Sequence, residues 1–436
     1  MANDPFSYVR EMLRLREAKG WWFSFDFPDG TKVEGVSTLE IQKKRIEAFP
    51  IPADLTGKRV LDIGTWDGWF AFEMERRGAD VVAVDCWDNP RFREAHRRLS
   101  SRVDYRLLDM YELTPERIGR FDVVIFMGVL YHLKHPLLAL ELVCALTTGM
   151  AAVDSFVVKE EHRPGADIAS RPFMEFYEND ELGGQIDNWC GPTVPCLLAM
   201  CRTAGFARVE LQAIPEHSAS VACYRHWLPP APAAAPGPEL LYAYHARNYG
   251  INFDNRYDEL ITCYFRPSGG EVKREDLKPE VGGFGVIPIS VIPESEGVWR
   301  ADFKVPPGLT PGWHEVRLRL GQSRPGNETR IAVDVPLAPG RVVVTAVSDG
   351  TTWRPGEFDP NVGDVVSLWV DGLPENADVH NVRVFLDSTP LTTVHVKDTQ
   401  VNAQMPRSLP AGPAEVRLET GGVSAAPVPL TVLPRC

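Results

Sequence analysis

The chain has 436 residues, 44% of them hydrophobic, and so can bury more than one core, because single cores stop growing at roughly 250 to 300 residues. Its 46 basic and 59 acidic residues leave a formal net charge of -13, which repels a phosphate backbone and argues against general nucleic-acid affinity. No stretch approaches the roughly 20 apolar residues that cross a bilayer, and MANDPFSYVREMLRLR lacks a signal-peptide core, so a soluble cytoplasmic protein with no membrane partner is expected.

In chain order, a helix is predicted from Pro5 to Lys19, stopped by Gly20, then the aromatic stretch Trp21, Trp22, Phe23, Phe25 and a turn at Pro28-Asp29-Gly30, together forming a cap. Five strands follow: RVLDI, DVVAVD, VDYRLLD, FDVVIFMG and MAAVDSFVV. Between them WFAFEMERRG reads as an amphipathic helix closed by Gly78, and PLLALELVCALTTG as one running from Pro136 to near Gly149. Such alternation predicts a doubly wound, Rossmann-like α/β sheet. A helix in TVPCLLAMCRTAGF, ended by Gly205, precedes two strands, ARVELQAI and SASVACYRHWL, that close the sheet as an antiparallel pair.

At Pro229 the composition changes to PPAPAAAPGP, a semi-rigid linker, and beyond it short alternating strands separated by Pro, Gly, Asn and Asp turns predict all-β structure. PPGLTPGWHEVRLRLG from Pro306 recurs as PRSLPAGPAEVRLETG from Pro406, an offset of 100 residues and the size of an immunoglobulin-like sandwich. The expected organisation is a catalytic domain over 1–228, a linker over 229–238, and β-modules over 239–338 and 339–436. The eight cysteines (Cys86, Cys144, Cys190, Cys196, Cys201, Cys223, Cys263, Cys436) lack CxxC pairs, so reduced, mostly buried thiols are expected and neither zinc nor a disulfide scaffold is implied.

The first predicted strand runs into Asp62-Ile63-Gly64-Thr65-Trp66-Asp67-Gly68, a glycine-bearing turn at the strand end where open α/β sheets bind ligands. A dinucleotide loop needs three glycines so that backbone amides approach a pyrophosphate. Here Trp66 holds the middle position and no third glycine follows. Asp62 would repel phosphate yet hold the ammonium group of a methionine-like moiety, directly or through water. Asp85 ends the second strand, placed to accept both ribose hydroxyls, and Cys86 follows it. Asp109 ends the third, to receive an adenine amino group, with Met110 against the ring. The alternatives are plainer: strand-end aspartates as helix N-caps, and Gly64 and Gly68 serving a tight turn. Three strand-end acids in this order favour S-adenosylmethionine as cofactor.

LDIGTWDGWFAFEMERRGADVVAVD, FDVVIFMGVLYHLKHPLLAL and MEFYENDELGGQIDNWCGP together resemble the class I methyltransferases related to the tRNA wobble-uridine carboxymethyltransferases, over roughly residues 20 to 215. MGVLYH is the most specific part of the resemblance. It implies a cofactor site at Asp62, Gly64, Asp85, Met127 and Tyr131, and Trp66 suits a branch of that family carrying a Trp-Asp-Gly loop. The final β-module resembles bacterial immunoglobulin-like modules over NAQMPRSLPAGPAEVRLETGGVSAAPVPL.

Methyl transfer from a sulfonium is an in-line displacement dominated by positioning, with a base needed only for a weakly acidic hydroxyl. Tyr131 and His132 are the catalytic candidates. His132 or His135 packing on the helix from Pro136 is the alternative. GVLYH lacks the (Asp/Asn)-Pro-Pro-(Tyr/Phe) turn of exocyclic-amine methyltransferases. Trp22, Tyr177, Asn188 and Trp189, with Glu175, Phe176 and Glu178, are expected around the acceptor pocket, or else as core-lining loop. Arg91, Arg93, Arg97, Arg98 and Arg102 could touch RNA phosphate but read as a solvated helix face, and residues 1–225 carry 27 basic against 34 acidic residues. No metal set is recognisable beyond the isolated Asp154.

These readings rank O-methylation of a small-molecule or sugar hydroxyl first, with the β-modules presenting substrate, oligomerising or meeting a protein partner. A tRNA wobble-uridine methyl- or carboxymethyltransferase comes second, and a cofactor-binding scaffold without activity third. Carboxy-S-adenosylmethionine would need a cation beside its extra carboxylate, for which Lys32 and Arg171 are the candidates.

Overall fold

In a computed structural model the described residues are 6–163, 165, 167–232, 234–246, 252–255, 258–269, 271–335, 341–421 and 423–435. Pro5 and Cys436 lie outside them, as does the expected module boundary near residue 338. The chain divides into two units, Met1–Trp227 and Leu228–Cys436.

The first unit opens with helices α1 (Ser7–Lys19) and α2 (Leu39–Glu47). Then come β1 (Arg59–Ile63), α3 (Trp69–Arg76), β2 (Asp80–Asp85), α4 (Pro90–Leu99), β3 (Asp104–Leu107) and β4 (Phe121–Met127). It closes with α5 (Pro136–Leu146), β5 (Thr147–Phe156), α6 (Val194–Thr203), β6 (Arg208–Ala213) and β7 (Ser218–Tyr224). The seven strands form one sheet in the order β6-β7-β5-β4-β1-β2-β3. Strands β1 to β5 pair in parallel, with Val60 between Val81 and Val123, while β7 lies antiparallel to both β5 and β6. The strand order reverses between β1 and β4, which places a ligand crevice outside their carboxyl ends.

Both sheet faces are covered, which is why the central strands are apolar without alternation. On one face Val60, Val81, Val123 and Ile125 pack with Phe70 and Phe72 of α3, Phe92 of α4 and the cap aromatics Trp21, Phe23, Phe25 and Phe27. On the other, Leu61, Val82, Val124 and Val153 meet Leu140 and Val143 of α5 and Leu197 of α6.

Three elements differ from expectation. The helix from Pro136 stops at Leu146 instead of running to Gly149, because Thr147 turns its hydroxyl back onto the Val143 carbonyl (2.6 Å) and enters the sheet opposite Phe121. The third strand ends at Leu107, leaving Asp109 two residues beyond it. Helix α2 was not anticipated; its signal is Thr38, whose hydroxyl caps the Ile41 amide at 3.3 Å. Seven cysteines are free thiols, all buried except Cys86.

The second unit contains no helix among its described residues. Its first half has a four-stranded and a five-stranded sheet whose buried residues share one core, including Ile261, Phe265 and Phe303 from one and Val281, Leu318 and Ile331 from the other. Its second half, from Val343, is a nine-stranded arrangement around Val366, Leu368, Val384, Val416 and Leu418. The sequence repeat is also a topological one. Gly312–Leu320 pairs antiparallel with Leu277–Val281 and Glu328–Val333, and Gly412–Thr420 pairs likewise with Val382–Leu386 and Val428–Val432. In each, a two-residue strand lies parallel to the last partner, Asn252–Phe253 in one and Glu357–Phe358 in the other.

Candidate active site

The turn after β1 is stitched to β2 by the amides of Gly64 (2.8 Å) and Thr65 (3.2 Å), both donating to the Val84 carbonyl. Gly64 has φ 69°, and a Cβ there would stand 2.4 Å from Val129 Cγ2. Glycine is therefore what lets the MGVLYH segment pass beside the loop. Asp62 is buried and its carboxylate accepts the Thr65 hydroxyl at 2.7 Å. Burial, opposed by that hydrogen bond, raises its pKa to about 7.

Trp66 holds a left-handed backbone (φ 52°), a strained state for a side-chain-bearing residue that aims its amide at Asp85 Oδ2 (3.0 Å). The Trp87 amide donates to Asp85 Oδ1 at 3.1 Å, so both carboxylate oxygens are oriented by backbone. Burial raises the Asp85 pKa, and Cys86 beside it is exposed. The Trp66 and Trp87 rings lie 5.4 Å apart next to this carboxylate.

Asp67, which sequence reading passed over, accepts the amides of Trp22 (2.6 Å) and Phe23 (3.1 Å) and the Asn89 side chain (2.9 Å), tying the aromatic cap to the loop. Gly68 starts α3 at φ 91°, where a Cβ would meet Phe72 and Phe92 at 2.6 Å.

Asp109 is the N-cap of a short 3-10 turn, Met110–Glu112. Its carboxylate caps the Tyr111 amide (2.8 Å) while its own amide donates to Glu112 (3.2 Å). One oxygen is thereby occupied, though the residue stays exposed. Met110 is buried in the core with Leu113 and Ile118, so it can floor a ring pocket and is not free to lie over one. Met127 ends β4 on the opposite face, with Met150.

Tyr131 and His132 sit on a short 3-10 turn, Leu130–His132. Burial pushes the Tyr131 phenol up to about 12, opposed by the charge of Arg45. Arg45, from α2, ion-pairs with buried Asp154 at 2.7 Å, and Asp154 also accepts Ser220 (2.7 Å) and Ser218 (3.2 Å). Asp154 is thus not isolated; its partners come from α2 and β7 and could not be read from spacing. His132 Nδ1 lies 3.0 Å from the Asp187 carbonyl, and burial lowers its pKa. Its Nε2 is then the acceptor. His135 serves the helix start, its amide donating to the Tyr111 hydroxyl (2.9 Å).

Tyr177, Asn188 and Trp189 gather around Tyr131. The Trp189 amide donates to the Tyr131 carbonyl (2.7 Å), the Tyr177 amide to the Trp189 carbonyl (2.9 Å), and Lys134 stands over the Trp189 ring at 4.3 Å. Asn188 is buried with its Nδ2 on the Leu182 carbonyl (3.2 Å) and its Oδ1 unpartnered. Trp22 does not join them: it packs against the core on the α3 and α4 face. Glu175 pairs with Arg163, and Phe176 and Glu178 are exposed.

Both cations considered for a carboxylated donor lie on the surface in ion pairs. Lys32 pairs with Asp26 and Arg171 with Asp167, each at 3.6 Å on the surface. The basic segment is largely neutralised too: Arg91 pairs with Glu94 (3.0 Å), Arg93 with Asp88 (2.5 Å), Arg98 with Asp29 (3.2 Å) and Arg102 with Glu75 (4.0 Å). Sequence reading also missed Glu161, His162 and His217, whose ligand-type atoms lie within 4.8 Å of one another. Fifty-odd residues separate the two histidines, and only the β5–β7 pairing brings them together.

Residues 38–153 match the family model described as a methyltransferase domain. The chain therefore carries such a domain, on the seven-stranded sheet described above. Among relatives, it is 32% identical over 167 residues to a tRNA U34 carboxymethyltransferase of Pseudomonas fluorescens, covering 36% of this chain and 48% of that protein. It is 35% identical over 85 residues to a ubiquinone biosynthesis O-methyltransferase of Acinetobacter baylyi, covering 19% of this chain and 36% of the other. The chain spans about half the length of the tRNA U34 carboxymethyltransferases it matches. A solved N-terminal domain of EvdMO1 with SAH bound is 18% identical and superposes with a TM-score of 0.34, over 51% of this chain and 98% of that one.

Proposed function

We propose that the first unit binds S-adenosylmethionine and transfers its methyl group to the hydroxyl of a small molecule or sugar. Asp62 and the Gly64–Gly68 turn take the methionine part, Asp85 the ribose diol, and Asp109 with Met110 and Cys86 the adenine edge. Met127 and Tyr131 stand at the sulfonium. The observation that carries this is Asp85: a buried carboxylate with both oxygens pre-oriented by the Trp66 and Trp87 amides at the carboxyl end of β2. The donor is already activated, so placing the acceptor in line supplies most of the rate. Loss of Asp85 removes two hydrogen bonds to a charged acceptor, about 3 kcal/mol, and Asp85→Ala is expected to weaken S-adenosylmethionine binding by on the order of 100-fold in calorimetry. Unchanged affinity sinks the assignment.

The names of the tRNA U34 carboxymethyltransferases support a second reading, a tRNA substrate with S-adenosylmethionine or its carboxylated form. Salt-sensitive gel shift with bulk tRNA favours it, and mass spectrometry of co-purifying cofactor separates the two donors. The paired surface arginines and the acidic balance support the small-molecule reading. The two halves of the second unit are assigned as immunoglobulin-like sandwiches, through which the protein meets a glycan, a partner or its own copy. A cytoplasmic location goes with a soluble donor.

A further inference from the structure

Helix α1 reaches from one side of the crevice to the other. Its start is fixed by rings: Phe6 packs with Phe156 at the end of β5 and with Tyr177, in the cluster that Tyr131 joins, and Tyr8 lies flat on His217 at 3.3 Å with 7° between planes. Val9 faces Gly183, where φ is 69° and a Cβ would stand 2.3 Å from Val9 Cβ. The end of α1 is fixed by polar contacts. The Gly20 amide donates to the Arg16 carbonyl (2.7 Å), Arg91 Nε to the Gly20 carbonyl (3.0 Å) and Lys19 Nζ to the Gly35 carbonyl (2.9 Å). About 15 Å of helix separates Phe6 from Arg16.

Arg16 closes that span with its guanidinium over the Trp66 ring, 5.9 Å from the centroid. The Trp66 amide orients Asp85, so Arg16 stands at the glycine-bearing turn. No acid claims it: among the described residues Arg16 makes no ion pair and its side chain no hydrogen bond. Arg45, Arg91 and Lys19, by contrast, are taken by Asp154, Glu94 and the Gly35 carbonyl.

The turn needs such a cation. The methionine part of the cofactor carries a carboxylate beside its ammonium group, and that carboxylate enters next to Asp62, Asp67 and Asp85, three buried acids that repel it. Backbone donors of the turn do not offset the repulsion. The amides of Gly64 and Thr65 donate to the Val84 carbonyl, that of Trp66 to Asp85 and that of Gly68 to the Thr65 carbonyl, so all four are spent inside the protein. The counter-charge must come from outside the turn, and a guanidinium, always charged and able to give two parallel N–H bonds, supplies it. The indole that replaces a glycine at position 66 then has a use, because its face holds the guanidinium by cation–π attraction.

We propose that Arg16 is a cofactor-binding residue that pairs with the methionine carboxylate of S-adenosylmethionine, and that Trp66 positions it. This deepens the cofactor reading above and rests on it. Because α1 is anchored at its other end on the Tyr131 side, the same ion pair ties the helix across the loaded crevice.

Two ligands isolate the contact. Decarboxylated S-adenosylmethionine lacks only the carboxylate and keeps the ammonium, sulfonium, ribose and adenine groups. In calorimetry with the full chain, Arg16→Gln is expected to weaken S-adenosylmethionine binding by roughly 10- to 100-fold and to leave the decarboxylated ligand within about twofold of its affinity for the parent. Arg16→Lys, which keeps a cation without the planar fork, is expected to fall between the parent and Arg16→Gln. Unchanged S-adenosylmethionine affinity in Arg16→Gln overturns the proposal. An equal loss for both ligands overturns it too, because Arg16 would then only support the Trp66 loop. Failure of the parent protein to bind either ligand overturns the cofactor reading itself.

Discussion

The two sides of the crevice in the first unit are built on different principles. On the β1–β2 side, Asp62 to Gly68 and Asp85 to Trp87 are two short contiguous stretches, and most of their hydrogen bonds are donated by backbone amides. On the β4–β5 side, Arg45 meets Asp154 and Tyr8 meets His217, pairs that arrive from separate elements and meet through side chains. A site made of backbone geometry is constrained to one ligand. One made of side chains on separate elements can be changed one residue at a time, and that is the side where an acceptor would be chosen.

The largest expected effect separates structural from ligand-binding roles on the β4–β5 side. Arg45→Met leaves the Asp154 carboxylate buried with only two hydroxyl partners, and should cost about 3 kcal/mol of stability in urea unfolding. A cost under ~1 kcal/mol would mean the pair is not the anchor of that side.

On the β1–β2 side the decisive variable is pH. Burial raises Asp62 from 3.8 to about 7 in the folded protein, so the folded state keeps a proton that the unfolded chain releases between those values. The stability linked to that proton is complete below pH 3.8 and is lost as pH rises through about 7. An ammonium group needs the ionised carboxylate, so cofactor affinity moves oppositely, rising by up to roughly tenfold per pH unit until about 7 and then levelling. Calorimetry in buffers of different ionisation enthalpy checks this, because binding must then release a proton. A flat affinity between about pH 5 and about pH 8 would remove Asp62 from the ammonium site.

Smaller effects sharpen the contrast. Thr65→Val deletes the hydroxyl that favours the ionised form of Asp62, so the Asp62 transition should move upward and cofactor affinity at neutral pH should fall several-fold, about 1 kcal/mol. Arg102→Ala, at a 4.0 Å surface pair with Glu75, should change stability by less than about 0.5 kcal/mol and leave cofactor binding alone. If it weakened tRNA retention instead, the basic face of α4 would regain a role.

Much of the fold was legible because the chain marks it locally. The five parallel strands are short apolar runs bounded by turns, and Gly20 and Gly205 close helices as their positions suggest. Helix α2 was missed because Leu39–Glu47 is mostly charged and buries only Gln42 and Ile46, which leaves a faint apolar stripe. The end of α5 was misplaced because a threonine hydroxyl capping its own helix looks, in sequence, like one more helical residue. Trp22 stands apart from the acceptor wall because the Asp67 carboxylate accepts its amide and draws its backbone to the β1 loop.

By itself the sequence determined the parallel sheet, the glycine-bearing turn with its acidic strand ends and the 100-residue repeat of the second unit, because each is written in neighbouring residues or in a fixed period. Only the tertiary structure decided that Arg45 neutralises Asp154, that Asp109 caps its own turn while Met110 enters the core, and that Tyr8 lies on His217. Those outcomes depend on which elements pack together after the antiparallel β7 is laid beside β5, and on the burial that follows. Local sequence carries no record of either.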